Sequence, residues 1–322
     1  MTTSETRYKI PKVMVTHAGV HHADEVFAFA LLSLINPNID VIRVNKVDDN
    51  YRSMESIGQA VIVDIGGGEF DHHTEETVEY RDPERELNPY ASFGKVLRRF
   101  WPYLLETEDE YRMLDSNLAL PIDYSDCKGG LWHGVHNYLS DAIASFNPTW
   151  EMDSSDASRK AAFLAAAMFA KEIIRNNIAK VKAVKHSADI TEKAIKVKDS
   201  KYHFIVLDRY VNYSTTVNQH PDDEIFWVVY PSLRGGWCIY SVIFRGSNID
   251  LISDTIKDQM AEDPAVSFVH PARFIATCDT KENAIEWAKK ISQDFDNDPE
   301  RVRTWRTEIR PLFRVRSEEE DA

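Results

Sequence analysis

Between residues 12 and 65 the apolar positions fall in short blocks separated by one helical stretch. Residues 12–16 (KVMVT) form the first block and residues 40–44 (DVIRV) the second, each the length of a strand. Between them, residues 23–35 are apolar over most of their length and stop at Asn36-Pro37-Asn38, which predicts a helix and its end. Residues 60–65 (AVIVDI) are apolar up to Asp64, the pattern of a strand covered on both faces, and Gly66-Gly67-Gly68 breaks the run. Strands alternating with helical stretches predict βαβ units and a parallel sheet. Functional residues in open parallel sheets gather at the carboxyl ends of the strands, where His17 and Asp64 fall.

Residues 88–105 predict a second helix opening near Pro89, and residues 108–120 a third, stopped by Pro121. After Pro148-Thr149-Trp150, Ser154 or Ser155 caps a long helix. Its apolar stripe runs through Phe163, Ala167, Ala170, Ile174, Ile178 and Val181 at three- and four-residue spacing. The character then changes. Residues 204–207, 225–230 and 237–244 are β-branched and aromatic, and Gly235-Gly236 signals a hairpin between the last two. Residues 267–276 predict a further strand and residues 280–295 a closing helix. The expected fold class is α/β: a parallel-sheet N-terminal domain, a long connecting helix and a smaller α+β C-terminal domain. The expected boundaries are 1–190 for the first domain with its helix, 200–310 for the second, and 311–322 for an acidic tail. No internal repeat is present.

With 322 residues the chain exceeds the usual size of one domain, and 43% hydrophobic residues supply material for two cores. No stretch approaches the roughly 18 uninterrupted apolar residues of a membrane span, and the first eight residues lack the apolar centre of a signal peptide. Cys127, Cys238 and Cys278 form no CxxC pair and no disulfide framework, which fits a reducing compartment; a cytoplasmic location is expected. The net charge of −14 argues against a protein that coats nucleic acid. It leaves room for an enzyme acting on a short phosphorylated substrate, the more so because divalent cations offset carboxylate charge.

Five of the eleven histidines lie within the first 73 residues. His17, His21 and His22 stand near Asp24 and Glu25; His72 and His73 stand near Asp64 and Asp71. A single histidine is usually an ordinary hydrogen-bonded residue, but two clusters at strand ends form a pattern. Imidazole mixed with carboxylate suits Mn²⁺, Zn²⁺, Fe²⁺ or Co²⁺, whereas carboxylates alone suit Mg²⁺ or Ca²⁺. A loop from His17 to His22 can wrap one metal, Asp24 can turn back towards it from the following helix, and Asp64 can place one oxygen on each of two metals. Two ions about 3.5–4 Å apart lower the pKa of a bridging water and hold phosphoryl oxygens for in-line displacement. No serine or cysteine nucleophile is required.

Asp71-His72-His73 is similar to the motif that names the DHH phosphoesterase superfamily. The closer resemblance is to its melanocyte-proliferating-gene (MYG) branch. That family's THxGxxHxDE pattern stands here as Thr16-His17-Ala18-Gly19-Val20-His21-His22-Ala23-Asp24-Glu25, and VDxGG as Val63-Asp64-Ile65-Gly66-Gly67. A small-residue segment resembles Ala91-Ser92-Phe93-Gly94, NPTW stands as Asn147-Pro148-Thr149-Trp150, and FVHxxxFI as Phe268-Val269-His270 with Phe274-Ile275. The resemblance runs from about residue 12 to 295.

It implies a two-domain DHH fold in which residues 1–190 carry the metal-binding catalytic part and residues 200–310 bind substrate. It also implies hydrolysis with two divalent metal ions, manganese first and Mg, Zn, Fe or Co as alternatives, and 3′–5′ RNA exonuclease activity as in some eukaryotic members. By the same resemblance His17, His22, Asp24, Asp64 and His72 are metal ligands, with Asp64 bridging. Asp71 orients His72, and His73 faces the substrate phosphate or the leaving oxygen. A last aspartate ligand falls on Asp123 or Asp126, with Asp123 preferred, although Ile122 stands where the family has an acidic residue. The superfamily's HxxxDxD motif has two carboxylates where this chain has His22 and Asp24. His21 lies outside the ligand pattern, and Ala276-Thr277-Cys278 stand where the family has glycines.

Elsewhere, Lys180, Lys182, Lys185 and His186 form a basic patch that either holds phosphate or is a solvated helix face. His270 and Arg273 are candidates for neutralising a bound phosphate. His133 and His136 lack neighbouring carboxylates and are not expected to bind metal. Trp150 is expected in a core rather than as a platform for a base. Three functions follow. The first is a phosphodiesterase acting on short RNA or DNA; the second hydrolyses a nucleotide or cyclic dinucleotide; the third is an inactive metal-binding regulatory protein. The expected partners are a short nucleic acid or nucleotide phosphate, no membrane, and a homo-oligomer as an open option.

Overall fold

Parallel strands at the start of the chain bring its two histidine clusters to one end of a sheet. β1 (Val13–His17), α1 (Ala23–Ile35), β2 (Asp40–Val44), α2 (Asp49–Ser56) and β3 (Ala60–Ile62) build this region. The computed structural model describes residues 9–129, 137–242 and 252–311, so His133 and His136 lie outside the described residues. The strands run parallel in the order β2-β1-β3. Pairing puts Met14, Val41 and Val61 on one face, within the larger core, and Val15 and Ile62 on the other, against Val44, Tyr51 and Met54. Both faces are therefore apolar, as expected of strands covered on each side. The predicted third strand, 60–65, ends earlier, at Ile62. Val63 bridges to Phe70 and donates its N–H to the Val15 carbonyl, and Asp64 turns into the left-handed region with φ 60° while its N–H bonds the carbonyl of Phe70.

The helix predicted over 88–105 is replaced by three shorter pieces. β4 (Tyr80–Asp82) and β5 (Leu87–Pro89) form a hairpin, α3 (Ser92–Phe100) follows, and Trp101–Tyr103 close with a 3-10 turn. Asn88 precedes a proline, which disfavours helix, and takes φ 58° instead. Pro121 does not stop the next helix either. α4 (Glu108–Leu114), capped by Thr107, passes through a π turn at Asp115–Ala119 into α5 (Leu120–Lys128). Pro121 sits in the first turn of α5, where a missing N–H is tolerated. α6 (Tyr138–Ala144) comes next. α7 (Asp156–Lys196) is a single helix of 41 residues, and Phe163, Ala167, Ala170, Ile174 and Val181 of its predicted stripe are buried.

The chain divides into two compact units, Met1–Lys182 and Ala183–Ala322. The second contains β6 (Phe204–Val206), α8 (Ser214–Asn218), β7 (Trp227–Pro231), β8 (Trp237–Ser241), α9 (Asp254–Glu262), β9 (Val266–Val269), β10 (Ile275–Cys278), α10 (Lys281–Asp296) and α11 (Pro299–Thr304). Its five strands lie in the order β6-β7-β8-β10-β9, with only β6 and β7 parallel. The single strand expected over 267–276 is the hairpin β9–β10, turned at Arg273 with φ 65°. The Gly235-Gly236 turn joins β7 and β8 as expected. A Cβ on Gly236 would stand 2.3 Å from the carbonyl oxygen of Cys278, so this position admits no side chain. The strand predicted over 237–244 ends at Ser241, and residues 243–244 lie outside the described residues. No helix among the described residues is long and apolar enough to cross a membrane.

Three segments of the first unit meet at Asp123. This fully buried carboxylate accepts from Arg81 at 2.8 Å and from the Gly94 N–H at 3.1 Å, while Arg81 also forks onto Asp115. A Cβ at Gly94 would stand 2.0 Å from Asp123 Oδ2, so only glycine fits. Gly94→Ala is expected to destabilise the protein by about 3 kcal/mol in denaturant titration; a loss under about 1 kcal/mol would show that the contact relaxes freely. In the second unit, burial and the neighbouring Asp279 push the Cys278 thiol from about 9 to about 12. The folded protein thus holds this proton at pH values where the unfolded chain has released it. Iodoacetamide at pH 9 should modify Cys278 only as fast as the protein unfolds, read by mass spectrometry; rapid modification of folded protein contradicts this.

Candidate metal centre

Asp64 sits just beyond the end of β3 in a left-handed conformation that costs a non-glycine residue about 1–2 kcal/mol. The turn aims its carboxylate at two imidazoles. Asp64 Oδ2 is 3.1 Å from His17 Nε2, at the end of β1, and Oδ1 is 3.4 Å from His72 Nδ1. Residues 47 positions and eight positions away in sequence thereby meet on one buried carboxylate.

The N-terminus of α1 supplies the next two acids, where the helix dipole favours negative charge. Glu25 accepts the backbone N–H of His22 through both oxygens, at 2.9 and 3.0 Å, and its Oε1 lies 3.2 Å from His17 Nε2. Burial drives His17 towards its neutral form, but its bonds to Asp64 and Glu25 prevail and raise its pKa to about 10. Asp24 is fully buried. Its Oδ2 accepts the Ser92 N–H at 3.2 Å and lies 3.9 Å from His72 Nδ1, while its Oδ1 is buried with no hydrogen-bond partner. Burial, then repulsion from Asp64, Asp126 and Glu25, raises its pKa well above the carboxylate range.

On the far side, Asp126 Oδ2 is 2.9 Å from His72 Nε2 and Oδ1 is 4.0 Å from His22 Nδ1. Of the two aspartates weighed for the last position, the structure brings Asp126 into this cluster and turns Asp123 inward onto Arg81. Burial lifts the Asp123 pKa to about 7 against the pull of that guanidinium.

The carboxylate of Asp71 is turned back into its own loop. It accepts the N–H of Gly67 at 2.6 Å, of His72 at 2.8 Å and of His73 at 3.1 Å. Its Oδ1 also takes the ring Nδ1 of His73 at 2.8 Å, so Asp71 orients His73 rather than the His72 ring expected from the sequence. Burial opposes ionisation of Asp71, but these bonds hold it well below the usual carboxylate range, and Asp71 in turn raises the pKa of His73.

Three supporting residues escaped the sequence reading of the site. Glu25 was visible as the last letter of its motif and as an acid three residues into a helix. Ser92 lies in the quoted small-residue segment; its Oγ donates to Asp64 Oδ1 at 3.2 Å. Lys95 is buried and its Nζ donates to the carbonyls of Asp71 at 2.7 Å and Thr77 at 2.5 Å, pinning the loop that carries His72 and His73. His21 is buried, packs edge-on to Phe163, and has its pKa lowered to about 4 by burial and by Arg43. Its backbone is tied at both N–H and C=O to Asn147, each at 2.9 Å, which explains the asparagine of the NPTW segment. Trp150 is not a core residue: it is 90% exposed. Lys180, Lys182, Lys185 and His186 are exposed on α7. His270 and Arg273 lie in the β9–β10 turn of the second unit, where Arg273 Nη1 is 3.3 Å from Asp254.

The donors suit a divalent cation. His17, His22, Glu25 and Asp64 each offer an atom within 4.8 Å of the others, as do His22, Asp24 and Asp126, and also Asp64, Asp71, His72 and His73. The mixed imidazole–carboxylate chemistry and the orphaned Asp24 Oδ1 both call for positive charge at this point.

A parallel α/β sheet with such a cluster at its strand ends defines an α/β protein equipped for divalent cations. The chain belongs to the MYG1_exonuc family, described as uncharacterised protein family UPF0160, whose model matches residues 13–291. Human MYG1 exonuclease is 25% identical over 341 residues, covering 89% of this chain and 87% of the human protein. The MYG1 protein of Chlamydia trachomatis is 31% identical over 157 residues, 46% of this chain and 49% of that protein. A solved structure of exonuclease RecJ bound to manganese aligns over 92% of this chain and 93% of its own, at 13% identity and a TM-score of 0.32, a likeness too slight to transfer roles or geometry.

The two aspartates of α5 provide a test. Asp123→Ala removes one of the two carboxylates that hold part-buried Arg81 and leaves the Gly94 N–H without its acceptor; it should cost about 3 kcal/mol while leaving the Mn²⁺-induced rise in Tm intact. Asp126→Ala should do the reverse. If both variants respond alike to Mn²⁺, the separation of roles is wrong.

Proposed function

We propose that this chain is a metal-dependent phosphodiesterase, an exonuclease that removes nucleotides from the 3′ end of short RNA or DNA. The observation that carries this reading is the meeting of His17 and His72 on opposite oxygens of Asp64, beside the unpartnered Oδ1 of Asp24. The exonuclease names of the mammalian relatives support it.

His17, His22, Asp24, Asp64, His72 and Asp126 would hold two divalent ions, manganese first and Mg, Zn, Fe or Co as alternatives, with Asp64 offered to both and Glu25 beside His17. Such ions, when bound, supply Lewis acidity and lower the pKa of a water near phosphorus. The chain's own contribution is positional. Asp71 fixes His73 through Nδ1, which leaves Nε2 of this half-exposed ring as its remaining proton-bearing atom. As the water oxygen bonds to phosphorus it releases a proton to solvent, the P–O bond to the leaving oxygen breaks, and His73 Nε2 gives its proton to that oxygen. Lys95 keeps the loop from swinging. His270, Arg273, Lys185 and His186 are proposed contacts for substrate phosphate. A second reading, hydrolysis of a nucleotide or cyclic dinucleotide, is favoured by the net charge of −14, which disfavours long polyanions. The third, a metal-binding regulatory protein without catalysis, draws on His22 standing in place of a motif carboxylate.

Short oligonucleotides labelled at either end, cyclic dinucleotides and simple phosphodiesters should be offered with Mn²⁺ and with chelator. We expect Mn²⁺-dependent trimming of oligonucleotides from the 3′ end, reduced more than about a hundred-fold in Asp64→Ala. Turnover of cyclic dinucleotides alone selects the second reading, and no turnover with any metal selects the third. His73→Gln should lower kcat about 10²–10⁴-fold on oligonucleotides. It should change little on a nitrophenyl phosphodiester, whose leaving group needs no proton; equal losses on both remove His73 from that role.

A further inference from the structure

The second unit holds a cavity of about 560 Å³ that takes no part in the histidine–carboxylate cluster. It lies on one face of the five-stranded sheet. Pairing of Tyr230 with Cys238, Cys238 with Thr277, and Thr277 with Phe268 sets one side chain from each of β7, β8, β10 and β9 in a single cross-strand row. The next row on the opposite face, Val229, Ile239 and Ala276, is fully buried, and α10 packs against these strands through Trp287, Ala288 and Ile291. The first face is open at the cavity. Phe268 is 47% exposed, and Tyr210, which stands 5.2 Å from the ring of Tyr230, is 56% exposed.

Apolar area on this scale is costly in water, and two exposed aromatic rings flanking one cavity offer flat surfaces. The polar groups around them are equally particular. The β7–β8 turn brings Arg234 to the cavity; only its backbone N–H is engaged, by Ser232, and its guanidinium makes no hydrogen bond or ion pair among the described residues. Among the described residues no carboxylate lines the cavity, in a chain with 52 Asp and Glu residues. The volume falls within the range of about 300–1,000 Å³ of small-molecule sites.

We propose that this open sheet face is a nucleobase platform: bases of a single-stranded substrate stack on Phe268 and on Tyr210, one on each ring, while Arg234 takes a phosphate of the strand. Flat aromatic faces beside a guanidinium, with no acid among the described lining residues to repel a phosphate, are the chemistry by which single-stranded nucleic acid is held without reading its sequence. The proposal rests on the reading of the chain as acting on nucleic acid and adds to it a binding site built from residues other than those assigned to hydrolysis.

Calorimetric titration of the full chain with a 5′-phosphorylated adenine dinucleotide and with ribose 5-phosphate, both without added metal, isolates this site from catalysis. The dinucleotide should bind and the sugar phosphate should bind at least about ten-fold more weakly, because it lacks the bases. Phe268→Ala and Tyr210→Ala remove half-exposed rings, and each should weaken the dinucleotide about ten-fold with the protein still folded by circular dichroism. Arg234→Gln should weaken the dinucleotide and leave adenosine unchanged. Equal affinity for dinucleotide and sugar phosphate overturns the platform. So does unchanged dinucleotide affinity in both aromatic variants, an absence of dinucleotide binding, or a dimer in sedimentation that Phe268→Ala dissolves. A chain that binds the dinucleotide here yet cleaves nothing sinks the hydrolytic reading alone; one that trims oligonucleotides with the aromatic variants unaffected sinks the platform alone.

Discussion

Four carboxylates, Asp24, Glu25, Asp64 and Asp126, crowd against the imidazoles of His17 and His72, and three of the four are withdrawn almost completely from water. Like charges in a medium of low effective dielectric repel strongly, and an isolated carboxylate in such a place would simply take up a proton. The fold offsets part of the repulsion with the first turn of α1, with the Ser92 N–H and hydroxyl, and with the rings of His17 and His72. What it leaves unsatisfied, above all Asp24 Oδ1, is concentrated at one point. The rest of the first unit reads as the means of holding that arrangement: parallel strands bring His17 and Asp64 side by side, and the left-handed turn at Asp64 aims one oxygen at each imidazole.

Around this point the supporting contacts are local and redundant. Asp71 receives four N–H groups from its own loop, and Lys95 ties the backbone of that loop to α3. Arg81, Asp115, Asp123 and Gly94 lock the β4–β5 hairpin to α3 and α5. Asp126, three residues beyond Asp123 on α5, reaches the cluster from that anchored helix. The two aspartates thus divide between them the tasks of fixing the helix and facing the histidines.

Much of this is written in the chain. The apolar blocks of β1, β2 and β3, the break after Asp64 and the crowding of histidines beside acids point to a strand-end site before any coordinates are seen. What the sequence hides is helical phase. Reading Pro121 as a stop leaves the orientation of residues 121–128 undefined, and each residue added to a helical turn swings the following face by about 100°. The π turn at Asp115–Ala119 sets that phase, buries Asp123 and presents Asp126. The β9–β10 turn was hidden for a different reason. Phe268-Val269 before and Phe274-Ile275 after are strand formers, and they mask a reversal across His270–Arg273 made by one left-handed residue, Arg273. Trp150 misled in the opposite sense: a tryptophan is more often core than a platform for a base, yet this one is exposed and the segment's structural contact is made by Asn147 on His21.

The claim on which the functional account stands is that the unbalanced charge at Asp64 and Asp24 is met by cations. Crystals grown with Mn²⁺ and measured at the manganese absorption edge test it directly. The account predicts two anomalous peaks flanking Asp64, each within about 2.2 Å of one of its carboxylate oxygens, one beside His17 and the other beside His72. Peaks confined to other parts of the molecule, or no peak at saturating Mn²⁺, would contradict it.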